Sequence, residues 1–88
     1  MTENNIVNFK KLSENACIPF KASKYAAGHD LCASESCILE PGKSSWIETG
    51  ISLSIPENYY GRIASRSSLA AKDISVFAGI VDRDYRGE

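Results

Sequence analysis

The residues best suited to chemistry stand at the C-terminal end of the sequence, in the stretch A-G-I-V-D-R-D-Y-R-G-E at residues 78–88. An apolar run is followed directly by Asp82, Asp84, Tyr85 and Arg86. A carboxylate that follows a buried strand, such as Asp82, can orient a water molecule and accept its proton, as a general base must. Tyr85 offers a flat apolar face for stacking on a sugar or a base. A catalytic role and a purely structural one are both compatible with this stretch.

The two aspartates of this stretch have further possible roles. Residues two apart on a strand share a face, so we expect the carboxylates of Asp82 and Asp84 to lie side by side if the strand continues through them. Paired carboxylates of this kind can bind Mg²⁺. They can equally form ion pairs with Arg86, which is a structural role.

A second segment, Y-Y-G-R-I-A-S-R-S-S-L-A-A-K-D at residues 59–73, has residues that suit phosphate. Arg66 is followed by Ser67 and Ser68, which combines a guanidinium fork with two hydroxyls and backbone N–H groups. The segment is not a Walker P-loop, since the glycine framework and the final Gly-Lys-Ser/Thr are absent. The alternative is a polar connection in which Arg66 is solvated. Arg62 is adequately explained as part of a solvated strand face.

The third segment, Y-A-A-G-H-D-L-C-A-S at residues 25–34, places His29 and Asp30 directly after a glycine. In isolation an aspartate here is most often a turn or strand-start residue that bonds nearby backbone. A metal site built on His29 is disfavoured because the chain has no second histidine. The three cysteines lack CxxC spacing, so we expect small, partly buried core residues rather than zinc ligands: Cys17, Cys32 and Cys37.

Composition excludes several classes of partner. The 88 residues carry a formal net charge of -1, with no block of like charge to bind nucleic acid or a membrane surface. No apolar run is long enough to cross a bilayer, and no targeting segment is visible. An odd number of cysteines fits a reducing compartment. We therefore expect a soluble intracellular protein, in the cytoplasm or nucleus.

The dominant hydrophobic period is two, which is typical of strands. In residues 50–57 the alternation predicts a strand with Ile51, Leu53 and Ile55 on one buried face. Further strands are predicted in residues 6–12, 59–65 and 74–81, with a hairpin over residues 36–50 around Pro41-Gly42. Only residues 66–73 have room for a helical turn. Turn signals every eight to twelve residues predict a single all-β domain over residues 1–88, a sandwich or barrel.

Taken in order, the three segments A-A-G-H-D-L, G-R-I-A-S-R-S-S-L-A and A-G-I-V-D-R-D-Y-R-G-E closely resemble the first three motifs of the homotrimeric dUTP diphosphatase (dUTPase) family. The usual family forms are approximately A-G-Y-D-L, G-R-I-A-P-R-S-G-L-A and G-V-I-D-x-D-Y-R-G-[EN]. The related deoxycytidine triphosphate deaminases share the fold, but the D-Y-R-G-E form favours dUTPases. The resemblance extends from about residue 6 through nearly the whole chain.

The resemblance implies a jelly-roll-like all-β subunit, three of which share active sites at their interfaces. It also implies Mg²⁺-dependent hydrolysis of dUTP to dUMP and pyrophosphate. This reaction limits uracil incorporation into DNA and supplies dUMP for dTMP synthesis. The alternative is a catalytically incompetent dUTPase-like β module that acts as an assembly partner.

The resemblance also implies a role for each residue of this sequence that matches a site residue of the family. Asp82 matches the acid that activates the attacking water, and Tyr85 matches the tyrosine that packs under the deoxyribose. The hairpin from about Ser75 to Asp82 would read uracil through its main chain, with Gly79, Ile80 and Val81 as part of it. The phosphate-contacting turn would consist of Arg66, Ser67 and Ser68. Asp30 matches the acid that reaches Mg²⁺ through water.

Departures from the family pattern concern four residues and the end of the sequence. Ser65 replaces a usual proline, which removes a fixed φ near -65°. Ser68 replaces a common glycine, His29 a tyrosine and Phe77 a frequent glycine. The family continues with a fourth motif near G-D-R-I-A-Q-L and a Gly-rich fifth, which the 88 residues do not contain. We therefore expect a dUTPase-like domain that is incomplete at its C-terminus and poorly active by itself.

Overall fold

The computed structural model describes residues 6–77 and 79–88. Within them the regular structure is mainly strand, as the period of two predicts. The elements in chain order are β1 (Asn8–Lys11), β2 (Ile51–Ser54), β3 (Gly61–Arg62), α1 (Ser67–Ala70) and β4 (Ile80–Val81). β1 pairs with β2, and β3 pairs with β4. No helix among the described residues has the length and apolar character needed to cross a membrane.

The chain forms two compact units. One comprises residues 54–86 with the segment that ends at Asn8, and the other comprises residues 9–53 with the last two residues. All predicted site residues except Asp30 belong to the first of these units. The expectation of a single domain over residues 1–88 stays a prediction.

In the unit of residues 9–53, Gly50 directly precedes β2. The backbone N–H of Leu12 donates to the carbonyl of Gly50 at 2.7 Å, next to the pairing of β1 with β2. Gly50 has φ +69°, and a Cβ on it would lie 2.8 Å from the Cβ of Ala16. Only glycine satisfies both the left-handed backbone and this close approach. Ala16, which Gly50 approaches, and Ile51, which follows Gly50 in the chain, are both buried.

The strand predicted from the alternation in residues 50–57 is confirmed as β2, but its burial differs from the prediction. Ile51 and Ile55 are buried, as expected, while Leu53 is half-buried. Ser52, predicted to face solvent, is only 8% exposed. The reason is that both faces of β2 are covered, so the hydroxyl-bearing positions are also removed from water.

The predicted turn at Pro41-Gly42 is confirmed. The N–H of Lys43 donates to the carbonyl of Glu40 at 3.1 Å, and Gly42 has φ +76°. Ser34 then pairs with Glu48, because its N–H and its hydroxyl both donate to the Glu48 carbonyl at 2.8 and 3.1 Å. The two arms meet as a hairpin does, although neither has the regular ladder of a strand.

The cysteine prediction is correct for one residue of three. Cys32 is half-buried, but Cys17 and Cys37 are exposed, and none of the three forms a disulfide. The prediction was wrong for the exposed pair because the core is small: its buried apolar side chains include Ala16, Ile51 and Ile55. Neither exposed thiol lies against that cluster closely enough to lose its solvent contact.

The helical turn predicted in residues 66–73 is confirmed as α1. Its C-terminus ends in a Schellman motif. The N–H of Ile74 donates to the Leu69 carbonyl at 2.9 Å, and that of Asp73 to the Ala70 carbonyl at 3.0 Å. Asp73 takes the left-handed position with φ +64°. The last carbonyls of a very short helix are thereby satisfied by the chain that leaves it.

Replacing Asp73 by glycine is expected to raise the free energy of unfolding by about 0.5 kcal/mol, because the strain of a left-handed non-glycine residue exceeds the added entropy of the unfolded chain. Asp73→Ala should instead lower it by about 1 kcal/mol, since alanine has a Cβ and no side-chain oxygen to bond nearby backbone. Urea unfolding of both variants measures the difference. Equal shifts of the same sign would contradict this account.

Candidate active site

The pairing of β3 with β4 brings the segment of residues 59–73 beside the stretch of residues 78–88. The ladder is antiparallel, with Gly61 opposite Val81 and Arg62 opposite Ile80. It extends by one step, because the N–H of Ile63 donates to the Gly79 carbonyl at 2.7 Å. Residues 20 positions apart in the chain thus lie on adjacent strands. Arg62 is exposed, as a solvated strand position should be.

Gly79 is required where the stretch of residues 78–88 meets the segment of residues 59–73. Its φ is +111°, a conformation that residues with a side chain rarely adopt. A Cβ on it would overlap the carbonyl oxygen of Ile63, the residue to which Gly79 is hydrogen-bonded. The backbone approach of the two segments therefore depends on the missing side chain.

β4 is followed immediately by a turn that contains the predicted general base and the predicted sugar-stacking residue. The N–H of Tyr85 donates to the carbonyl of Asp82 at 3.1 Å. Nη1 of Arg86 donates to the carbonyls of Arg83 and Tyr85 at 2.6 and 3.0 Å, and these two hydrogen bonds stabilise the turn. Asp82 is exposed and Tyr85 is 49% exposed. Both side chains are therefore accessible to a ligand.

The expectation that Asp82 and Asp84 share a strand face is wrong. β4 ends at Val81, and Asp84 lies within the turn that closes on Tyr85. Alternation of side chains across a strand does not extend into a turn. Any joint binding of a cation by the two carboxylates would have to use turn geometry instead.

The predicted phosphate-contacting residues form the start of α1. Arg66 is the residue before the helix, with extended backbone at φ -76° and ψ 135°, and Ser67 and Ser68 begin the helical turn. No side chain caps this end. The first N–H groups of a helix have no acceptor inside it, so they are oriented toward an incoming acceptor. All three residues are exposed.

Two contacts near these residues were not predicted from the sequence. The N–H of Val76 donates to the hydroxyl Oγ of Ser65 at 2.8 Å, which joins the two branches just beyond the ladder. Nη1 of Arg83 lies 3.7 Å from Oε1 of Glu57, so an ion pair links the stretch of residues 78–88 to the turn before β3. Both partners of the ion pair are well exposed, so its net contribution to stability is small.

Asp30 lies in the other compact unit. It forms an isolated antiparallel bridge with Phe20: the Asp30 N–H donates to the Phe20 carbonyl at 2.6 Å, and the reverse bond is 3.3 Å. The residue is therefore held by backbone pairing, as the strand-start interpretation predicts. Its carboxylate is half-buried, with Oδ2 shielded from solvent.

The described residues contain no group of three or more histidine, cysteine, aspartate or glutamate side chains placed to bind a metal. This arrangement still fits Mg²⁺ on a nucleotide, since Mg²⁺ is usually held by one or two carboxylates, several waters and the substrate phosphates. A cavity of about 280 Å³ lies beside the Pro41-Gly42 turn, lined by residues such as Ile38 and Lys43. None of the predicted site residues lines it.

A model of the dUTPase family matches residues 14–88, which include all three motifs. The chain belongs to the dUTPase family. The all-β dUTPase fold expected from the motifs is supported by solved structures. A mutant dUTPase from phage phi11 of S. aureus superimposes with a TM-score of 0.86 at 37% identity, covering 94% of this chain and 55% of that one. That structure is described as showing the coordination of a structural Mg(II) ion.

Other dUTPases agree over nearly the whole chain. A mutant dUTPase of Staphylococcus bacteriophage 80alpha with dUpNHpp has a TM-score of 0.88 and 36% identity, covering 96% of this chain and 50% of that one. The deoxyuridine 5'-triphosphate nucleotidohydrolase of Variola virus is 44% identical over 87 residues, 99% of this chain and 59% of that protein. The probable enzyme of Schizosaccharomyces pombe is 46% identical over 79 residues, with 89% and 56% coverage. The chain therefore spans just over half the length of these dUTPases.

Proposed function

We propose that the protein carrying this sequence is a dUTP diphosphatase that hydrolyses dUTP to dUMP and pyrophosphate with Mg²⁺. The observation that carries the proposal is the β3–β4 ladder. In this ladder Gly61 and Arg62, where the motif proposed to bind phosphate begins, pair with the strand that leads into Asp82 and Tyr85. Both groups of residues belong to the same compact unit of the chain.

The register of the ladder supports base reading by the main chain at Ile80. In an antiparallel pair, residues alternate between those that bond their partner strand and those whose N–H and C=O point away from it. Gly79 bonds Ile63 across the pair, so the polar groups of Ile80 point away from β3. Uracil presents one N–H donor flanked by carbonyl acceptors. An outward-facing N–H and C=O at Ile80, with Gly79 and Val81 fixing the strand, are complementary to that edge.

Asp82 has the role of general base in this proposal. Its carboxylate takes a proton from a water molecule as the water oxygen forms a bond to the α-phosphorus. The bond from that phosphorus to the bridging oxygen breaks, and pyrophosphate leaves. The turn closed by Tyr85 and Arg86 fixes the backbone that carries the carboxylate, which supports a defined position for the base.

The triphosphate is held by Arg66, Ser67 and Ser68, whose guanidinium, hydroxyl and N–H groups suit phosphate oxygens. Asp30 would hold Mg²⁺ through water. A bound Mg²⁺ neutralises phosphate charge that would otherwise repel the carboxylate of the general base. Different residues of the chain therefore bind the phosphates, recognise the base, contact the sugar and activate the water.

In the cell, this activity would keep uracil out of DNA and provide dUMP for dTMP synthesis. The proposed setting is the cytoplasm or nucleus, where nucleoside triphosphates are used. We propose a homotrimer with sites shared between subunits. Light scattering on the purified protein measures its mass, and a monomer would contradict the trimer.

The activity is tested by incubating the natural full-length protein with dUTP and Mg²⁺ and measuring pyrophosphate and dUMP. UTP, dCTP and dTTP are the matched controls, since UTP changes the sugar, dCTP changes the hydrogen-bonding edge of the base, and dTTP adds a methyl group at C5. Rapid release of pyrophosphate from dUTP alone is the expected result. Release of inorganic phosphate, or equal turnover of all four nucleotides, would overturn the proposal.

Tyr85→Ala is expected to lower the preference for dUTP over UTP about tenfold. Removal of the ring opens the space that would exclude a 2′-hydroxyl and removes stacking worth about 1 kcal/mol. Tyr85→Phe retains the ring and is the control, with an expected preference close to the wild type. The ratio of kcat/KM for the two nucleotides is the measurement. An unchanged ratio in the alanine variant would exclude Tyr85 from sugar recognition.

A second candidate function is a non-catalytic assembly role, favoured by the exposure of large apolar side chains. Trp46 is 99% exposed, Ile38 89% and Phe77 77%. Side chains of this size in solvent often mark surfaces that contact another protein. The chain as given would then form a stable oligomer, yet release pyrophosphate no faster than its Asp82→Asn variant. A reading frame that continues past codon 88 into a G-D-R-I-A-Q-L-like segment would favour the enzyme.

A further inference from the structure

The backbone N–H of Gly50 donates a hydrogen bond to the carboxylate of Glu88, at Oε2. Gly50 is a buried residue, and a buried N–H needs an acceptor. The Gly50 carbonyl accepts the N–H of Leu12 at 2.7 Å beside the pairing of β1 with β2, whereas its N–H is satisfied by the glutamate side chain. Gly50 and Glu88 both belong to the compact unit of residues 9–53 with the last two residues.

Gly50 is a suitable anchor because its own position is strongly constrained. Its φ is +69°, and a Cβ on it would lie 2.8 Å from both the Cβ of Ala16 and Oγ of Ser13. A carboxylate that accepts a backbone N–H forms a charge-assisted hydrogen bond, which is stronger than a neutral one. Glu88 is therefore bound to a part of the chain that has little freedom to move.

The turn that carries Asp82 and Tyr85 precedes this contact in the chain. At the start of the turn, Val81 is paired with Gly61 in the β3–β4 ladder. At its other end, the chain reaches Glu88 and its hydrogen bond to the Gly50 N–H. A segment that is held at both ends samples fewer conformations than one held at a single end. The contact of Glu88 therefore restricts the backbone on which Asp82 and Tyr85 stand.

We propose that Glu88 is a positioning residue for the reaction, because it holds the end of the turn that carries Asp82 and Tyr85. This inference rests on the proposed function. A turn that is held less firmly should still admit the nucleotide, but it should place the carboxylate and the ring less accurately. Misplacement of a reacting group by about 1 Å can cost about 100-fold in rate. The loss should therefore appear in kcat and in sugar selectivity rather than in affinity.

Glu88→Ala in the natural full-length protein is expected to lower kcat for dUTP about tenfold and the preference for dUTP over UTP about threefold. The dissociation constant of dUpNHpp, the dUTP analogue in the structure of a related phage dUTPase, should change less than about threefold. Glu88→Gln retains a side-chain oxygen and should keep kcat within about threefold of the wild type. If Glu88→Ala lost stability but kept its kcat per folded molecule and its preference, the role would be structural only and the proposal would be overturned.

Glu40→Ala is the matched control. It removes an exposed carboxylate that pairs with Lys43 at 3.1 Å, so it changes the net charge equally. A loss of kcat as large as that of Glu88→Ala would point to net charge and would refute the positioning role. If Glu88→Ala does not fold, Glu88→Asp takes its place. The carboxylate is then withdrawn by one methylene, so kcat should fall about threefold, and a wild-type kcat in this variant would overturn the proposal.

Hydrogen exchange of the Gly50 amide tests the contact without any ligand. The amide should exchange about tenfold faster in Glu88→Ala than in the wild type, and Glu88→Gln should restore most of its protection. Unchanged exchange in the alanine variant would refute the contact and the proposal with it. A wild type that released no pyrophosphate from dUTP would refute the proposed function. An active wild type with an equally active Glu88→Ala variant would refute only the role of Glu88.

Discussion

Pyrophosphate release from dUTP is expected to fall by at least about 100-fold when Asp82 is replaced by asparagine, because a positioned general base typically contributes 10²–10⁴ to the rate. Asparagine has nearly the same shape and leaves the turn to Tyr85 intact, since that bond uses the Asp82 carbonyl rather than its side chain. Dissociation constants for dUpNHpp should stay within a fewfold of the wild type. The loss should therefore fall on kcat.

The matched control for this variant is Asp73→Asn. Both are aspartate-to-asparagine changes in the same compact unit, so they alter net charge equally. Asparagine tolerates the left-handed backbone of residue 73 as well as aspartate does, so the fold is preserved. A control that lost as much activity as Asp82→Asn would point to a general charge effect. Full activity of Asp82→Asn would remove Asp82 from the chemistry.

Gly79→Ala is expected to lower the free energy of unfolding by about 3 kcal/mol and to abolish nucleotide binding. The substitution adds strain at φ +111° and forces a Cβ onto the carbonyl oxygen of Ile63, a backbone atom that cannot rotate away. Separation of β3 from β4 would relieve the backbone strain and the overlap with Ile63, but it would break the hydrogen bonds of the ladder. Urea unfolding and dUpNHpp titration measure the two effects.

Gly28→Ala is the control for this substitution. Its added Cβ would meet no atom within 4 Å, and its backbone is not left-handed. The stability change should be below about 1 kcal/mol, as for most exposed positions. If both glycine variants unfolded at the same urea concentration, the close approach of Gly79 to Ile63 would not be a source of stability.

The sequence is sufficient to predict the strands that have strong alternation and the turns that have special residues. The pattern around Ile51 predicts β2, and Pro41-Gly42 predicts a turn that the structure contains. The predicted strands in residues 59–65 and 74–81 are present but have two ladder residues each. Gly79 explains much of this shortening, because its positive φ is incompatible with an extended strand.

The motifs predict which residues belong to the candidate site, but not how they are held. The antiparallel register of Gly61 against Val81 depends on contacts distant in sequence, which no local pattern specifies. The bond from Val76 to Ser65 had one available signal, the serine at a position where proline is usual. The ion pair of Arg83 with Glu57 had none, since exposed charges of opposite sign are common throughout the chain.

The close approach of β3 and β4 at the pair Gly61 and Val81 limits which residues these two positions can hold. A Cβ on Gly61 would lie 3.0 Å from the Cβ of Val81, so the branched side chain of Val81 requires a residue as small as glycine at position 61. The two positions belong to different motifs, yet a larger residue at position 61 would require a smaller one at position 81.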